Sequence, residues 1–130
     1  MELLPEGQQN TATEVKWEDQ QQINKFSTLI NRKDEQQEEL DKLKQEKEYL
    51  QDLSLEMELL DEDSKVQYKV GDTFVFIKVS KALLKIEHEN EILTRKVDEF
   101  ESQIDTLDEE LNGLKLSLYA KFGKNINLER

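Results

Sequence analysis

Apolar residues along this chain recur mostly every three or four positions, first at Ile23, Phe26 and Ile30, then at Leu40 and Leu43, and finally at Leu50, Leu53, Met57 and Leu60. That spacing puts them on one face of a helix, which the pattern predicts over about residues 14–60, a stretch without Gly or Pro. Lys33, Gln36 and Gln37 interrupt the apolar seam and leave its register loosely set there. A second series is more regular: Leu83, Ile86, Asn90, Leu93, Val97, Phe100, Ile104, Leu107, Leu111, Leu114 and Leu118. Alternating steps of three and four are a coiled-coil heptad pattern, here predicting a helix over about 81–122. Asn90 is its polar position, either a buried amide fixing register or a solvent-facing residue near the helix start. Ser80 is the expected N-cap and Gly123 the expected stop.

Between the two series the period changes from 3.6 to 2. Val66, Tyr68 and Val70 alternate with Gln67 and Lys69, and Gly71-Asp72 supplies a tight turn with Gly at its first central position. The run Thr73 to Val79 is β-branched and aromatic, as a strand requires. One β-hairpin over about 66–79 therefore joins two helices of about 64 Å, counted over residues 18–60, and about 63 Å, counted over 81–122, at roughly 1.5 Å per residue. Such equal lengths predict an antiparallel coiled-coil hairpin, a rod with both chain ends at one tip. Residues 1–13, with Pro5, Gly7 and a polar run, and residues 124–130 are expected to be tails.

The hairpin changes the picture from a monomer to an assembly. Phe74 and Phe76 lie on one side of its second strand, and Val75, Ile77 and Val79 on the other. A lone two-stranded ribbon is marginal in water, and each large side chain left wet forfeits about 1.5–3 kcal/mol. Val66, Tyr68, Val70, Phe74, Val75, Phe76, Ile77 and Val79 are accordingly the expected assembly site, with other chains covering both faces and the strand edges.

Composition agrees with thin, solvated helices. Of 130 residues, 35% are hydrophobic and 37% charged, with a formal net charge of −12. Residues 31–63 hold five basic and thirteen acidic side chains, and residues 80–119 five and ten, whereas 64–79 has three lysines against Asp72. An acidic surface repels phosphate, so neither nucleic acid nor a membrane is the expected partner. The absence of cysteine excludes disulfides and thiolate metal sites. The N-terminus has no signal-peptide pattern and no run approaches a membrane span, which leaves a cytoplasmic protein as the expectation. The single histidine, His88, sits in a charged helical stretch, the four glycines are isolated, and the carboxylate pairs have no pocket. No enzyme, cofactor or metal is expected.

The chain ends carry more large apolar groups than a solvated tip needs. Ile23, Phe26 and Leu118 lie on the seams, where packing competes with binding. Trp17, Leu29, Tyr119, Phe122 and Ile126 fall off or beyond them and form a candidate exposed patch for non-specific apolar partners.

The segments Trp17-Glu18-Asp19-Gln20-Gln21-Gln22-Ile23-Asn24-Lys25-Phe26-Ser27 and Leu118-Tyr119-Ala120-Lys121-Phe122-Gly123-Lys124-Asn125-Ile126-Asn127-Leu128 resemble the two ends of β-class prefoldin subunits. Tyr68-Lys69-Val70-Gly71-Asp72-Thr73-Phe74 resembles the hairpin of that family. The resemblance implies a heterohexamer of α- and β-class prefoldin subunits, built on an intersubunit β-barrel of hairpins. It also implies an ATP-independent holdase whose coiled-coil tips capture unfolded actin and tubulin and deliver them to the cytosolic chaperonin. Client contacts would then fall on Trp17, Ile23, Phe26, Leu29, Leu118, Tyr119, Phe122 and Ile126. Lys16 and Trp17 depart from the family, which carries Thr and Phe there. Lys16 cannot cap a helix with its side chain, so the first helix is expected to start at Thr13 or to fray to about Asp19. A structural coiled-coil adaptor for one folded partner is the alternative function.

Overall fold

The computed structural model describes residues 2–3 and 15–128. The expected N-terminal tail lies outside these apart from Glu2–Leu3. In chain order the elements are β1 (Glu2–Leu3), α1 (Trp17–Glu58), β2 (Lys65–Val70), β3 (Thr73–Lys78), α2 (Val79–Phe122), a 3-10 turn at Gly123–Asn125, and β4 (Ile126–Asn127). The fold is mainly α, two long helices and a small antiparallel hairpin. The chain divides into two compact units, Met1–Gln37 with Ser102–Arg130, and Glu38–Glu101.

In the first unit α1 and α2 run antiparallel, since Asp19 pairs with Lys121 and Lys33 with Asp108. Their seams close on one cluster containing Ile23, Phe26, Leu29, Leu107, Leu111, Leu118 and Phe122. The start of α1 has a local cause. The Lys16 carbonyl accepts the first helical bond from the Gln20 N–H at 3.0 Å, so Lys16 is the N-cap. The Asp19 carboxylate reaches back to the Lys16 N–H at 3.0 Å, which is the return half of a capping box. The helix therefore begins at Trp17, neither at Thr13 nor at Asp19, because a side chain in its first turn supplies the cap that Lys16 cannot.

In the second unit α1 and α2 are joined by the Lys44 ammonium, 3.3 Å from the Glu101 carboxylate. Met57, Val79, Ala82 and Ile86 form the buried core, with Leu50, Leu53, Val66, Tyr68, Ile77 and Leu83 packed on it. Asn90 belongs to the seam, for its side-chain oxygen is buried and without a hydrogen-bond partner.

Helix α2 starts at Val79, one residue before the expected cap. The β-branched run carries the expected strand on to Val79, but the ladder ends at Lys65 and Lys78. The Val79 N–H donates instead to the Ser64 carbonyl at 2.8 Å, and the Ser80 N–H to the Glu62 carbonyl at 3.3 Å. Carbonyls of the connecting loop thus satisfy the helix start, and the Val79 side chain is fully buried at the corner.

Candidate protein-interaction surfaces

The hairpin of the second unit has two unlike faces. Val66 pairs with Ile77, Tyr68 with Val75 and Val70 with Thr73, while Lys65 pairs with Lys78, Gln67 with Phe76 and Lys69 with Phe74. Directly opposed residues share a face of a pleated ladder. The first set turns Val66, Tyr68 and Ile77 onto the helices, where all three are half-buried. The second set leaves Phe74 at 59% and Phe76 at 68% exposure among three lysines. Val70 and Val75 are exposed as well. The expectation that other chains must cover both faces is therefore corrected: this chain's own helices cover the Val66, Tyr68 and Ile77 part of one face, and the aromatic face stays bare. Gly71 has φ +60° and Asp72 has no positive φ, as the Gly-first turn requires.

The hairpin is tied to α2 through Tyr68. Its hydroxyl donates to the Glu89 carboxylate at 2.8 Å, and the Lys85 ammonium lies 6.0 Å from the ring centre. Burial, followed by the hydrogen bond and charge of Glu89, pushes the Tyr68 hydroxyl up to about 12.

The first unit gathers the apolar residues expected to contact clients, but hides most of them. Ile23, Phe26, Leu29, Leu118, Phe122 and Ile126 are all buried, and Tyr119 is half-buried. Leu29, Phe122 and Ile126 thus differ from the exposed patch expected of them. Trp17 does not, at 71% exposure. The reason is the segment after Gly123, expected as a tail. Gly123, at φ +57°, turns the chain into a 3-10 turn and then a short strand that pairs with β1 through Glu2–Asn127 and Leu3–Ile126. Ile126 and Leu128 enter the cluster, and the Leu128 N–H donates to the Tyr119 hydroxyl at 3.0 Å.

Asp19 completes this unit. It is a buried charged side chain, and Lys121 donates to the same oxygen that accepts from the Lys16 N–H. The Lys121 hydrogen bond, aided by the Lys16 N–H, holds the carboxyl below its ordinary 3.8, against the opposing effect of burial. The seam pattern did not single out Leu84 and Leu116, yet both are exposed leucines on α2. Their only sequence signal is a leucine off the heptad stripe.

Among the described residues no group of three or more His, Cys, Asp or Glu is arranged to hold a metal, and no helix is long and apolar enough to cross a membrane. What the two units present is apolar surface, bare on the hairpin and strapped over at the helix ends. A family model described as prefoldin subunit matches residues 20–125.

The chain belongs to the prefoldin subunit family.

Prefoldin subunit 4 of Saccharomyces cerevisiae is 55% identical over 130 residues, spanning all of both chains. Prefoldin subunit 4 of Homo sapiens is 36% identical over 116 residues, 88% of this chain and 87% of that one. Among solved structures, the prefoldin β subunit of Thermococcus strain KS-1 matches with a TM-score of 0.78 at 19% identity, covering 85% of this chain and 96% of that one. That likeness establishes the shared fold. As a prefoldin subunit the chain is a chaperone component, one that assembles with other prefoldin subunits.

Proposed function

We propose that this prefoldin subunit works in the cytosol as part of a heterohexamer of α- and β-class chains, holding unfolded polypeptides, notably actin and tubulin, without ATP and delivering them to the chaperonin. The observation that carries the reading is the full-length similarity to prefoldin subunit 4 in a chain whose hairpin bares Phe74 and Phe76. Assembly falls to Val66, Tyr68, Val70, Phe74, Val75, Phe76 and Ile77. Val66, Tyr68 and Ile77 shape the ribbon from within, and Val70, Phe74, Val75 and Phe76 meet neighbouring hairpins. Val79 anchors the corner. Client capture falls to the first unit, through Trp17 at the surface and the cluster of Ile23, Phe26, Leu29, Leu118, Tyr119 and Phe122, which Ile126 covers. An apolar surface of this kind recognises non-native chains because what they share is exposed hydrocarbon and not a sequence.

The test is to purify the tagged chain from its own cytosol, determine the composition of the complex by native mass spectrometry, and challenge that complex with chemically unfolded actin. A hexamer of small related chains that suppresses actin aggregation is expected. A homodimer, or a complex with one large folded protein and no effect on unfolded chains, would make the subunit an adaptor instead.

A further inference from the structure

We infer that the seat of Ile126-Asn127-Leu128 is the client groove of this subunit, and that the chain's own C-terminal segment occupies it as an intramolecular stand-in for an extended apolar-polar-apolar stretch of client. The inference rests on the client-capture reading above and specifies its ligand.

Three observations support it. The segment is bound as a peptide would be: extended, with Ile126 at φ −137° and ψ 142°, and with alternate side chains buried, Ile126 at 4% and Leu128 at 1% while Asn127 faces out. Its backbone is read as well as its side chains, through the β1 ladder and through the Tyr119 hydroxyl that accepts from the Leu128 N–H. Neither contact demands a particular side chain, so a different chain with the same alternation can make both. Finally, the segment is set off from the helix it follows: it joins α2 through Gly123 in a left-handed conformation, and among the described residues its pairing with β1 comprises two residue pairs. Asp19 and Lys121 hold the helix ends together without it, so the groove walls keep a bond of their own when the segment lifts.

A seat filled by Ile126 and Leu128 keeps the apolar groove of the first unit out of water. Captured chains then compete with a tethered rival, and the apparent affinity falls by the fraction of time the seat is open.

The experiment uses the assembled complex and a fluorescent peptide copying residues 123–130, alongside a version with both apolar residues changed to serine. Deletion of residues 124–130 in this subunit should tighten binding of the parent peptide about tenfold, as expected if the seat is open a tenth of the time in the intact chain. The serine peptide should not bind. Hydrogen exchange on the unmutated complex provides a second reading that needs no variant: saturating peptide should accelerate exchange of the Leu128 amide. Unchanged or weaker binding by a folded deletion variant, or a Leu128 amide unmoved by bound peptide, would overturn the inference. Suppression of actin aggregation by the same unmutated complex is measured in parallel. Its absence counts against the proposed function, whereas its presence with an unmoved Leu128 amide counts against the strap alone.

Discussion

The Lys121 ammonium and the Asp19 carboxylate, 102 residues apart in sequence, are hydrogen-bonded to one another at the helix ends of the first unit. One carboxylate thereby serves two purposes, since Asp19 also caps α1 through the Lys16 N–H. The start of α1 and the end of α2 are held by the same group.

This pairing sets a pH dependence. The Asp19 carboxyl is held below 3.8 in the folded chain, so its stabilising contribution is complete above that pH and is lost as pH falls through the lower, folded value. Asp19→Asn should remove the contribution at neutral pH and flatten the acid limb of the unfolding curve. Thermal melts of both forms between neutral and strongly acidic pH check this. An unchanged acid limb would show that other carboxylates govern it.

Tyr68 makes the opposite prediction at the alkaline end. With its hydroxyl at about 12 against an ordinary 10, the neutral form is favoured, so the contribution is complete below pH 10 and lost as pH rises through 12. Ultraviolet titration should show a late phenolate step near pH 12. Tyr68→Phe should abolish that late step while leaving the helical circular dichroism intact.

Phe74→Asp or Val75→Asp puts a charge on the exposed part of the hairpin without touching the buried core of Met57, Val79, Ala82 and Ile86. Each should prevent entry into the complex while the subunit keeps its helices. Desolvating an unpaired carboxylate at an apolar contact costs several kcal/mol, enough to undo a micromolar association. Native mass spectrometry after mixing with partner subunits reads the result, and normal incorporation of both variants would remove the hairpin from the assembly surface.

Asn90 should be replaceable at a gain in stability. Its side-chain oxygen is buried without a partner, so Asn90→Leu should stabilise the isolated subunit by about 1–3 kcal/mol. Denaturant unfolding measures the gain. Because a single polar seam residue fixes register in coiled coils, the same variant should also populate shifted or homo-oligomeric pairings, visible by sedimentation.

Much of this protein is legible in its periodicity. The seams of α1 and α2 follow from local spacing, since a helix brings every third or fourth residue to one face whatever its surroundings. The hairpin and its Gly-first turn follow from a period of two and a glycine that accepts φ +60°. The tertiary structure decided what local spacing leaves open. It set which hairpin face is covered, because only the packed helices distinguish Val66, Tyr68 and Ile77 from Phe74 and Phe76. It moved the start of α2 to Val79, because carbonyls from the preceding loop reach its N–H groups. It also buried Ile126 and Leu128, which lie beyond a helix-ending glycine and read as a tail. Their burial depends on Tyr119 and on a strand at the other end of the chain. Periodicity is a property of neighbours in sequence, so it determined the elements. The caps, the covered face and the strap are contacts between distant segments, and only the folded chain brings those together.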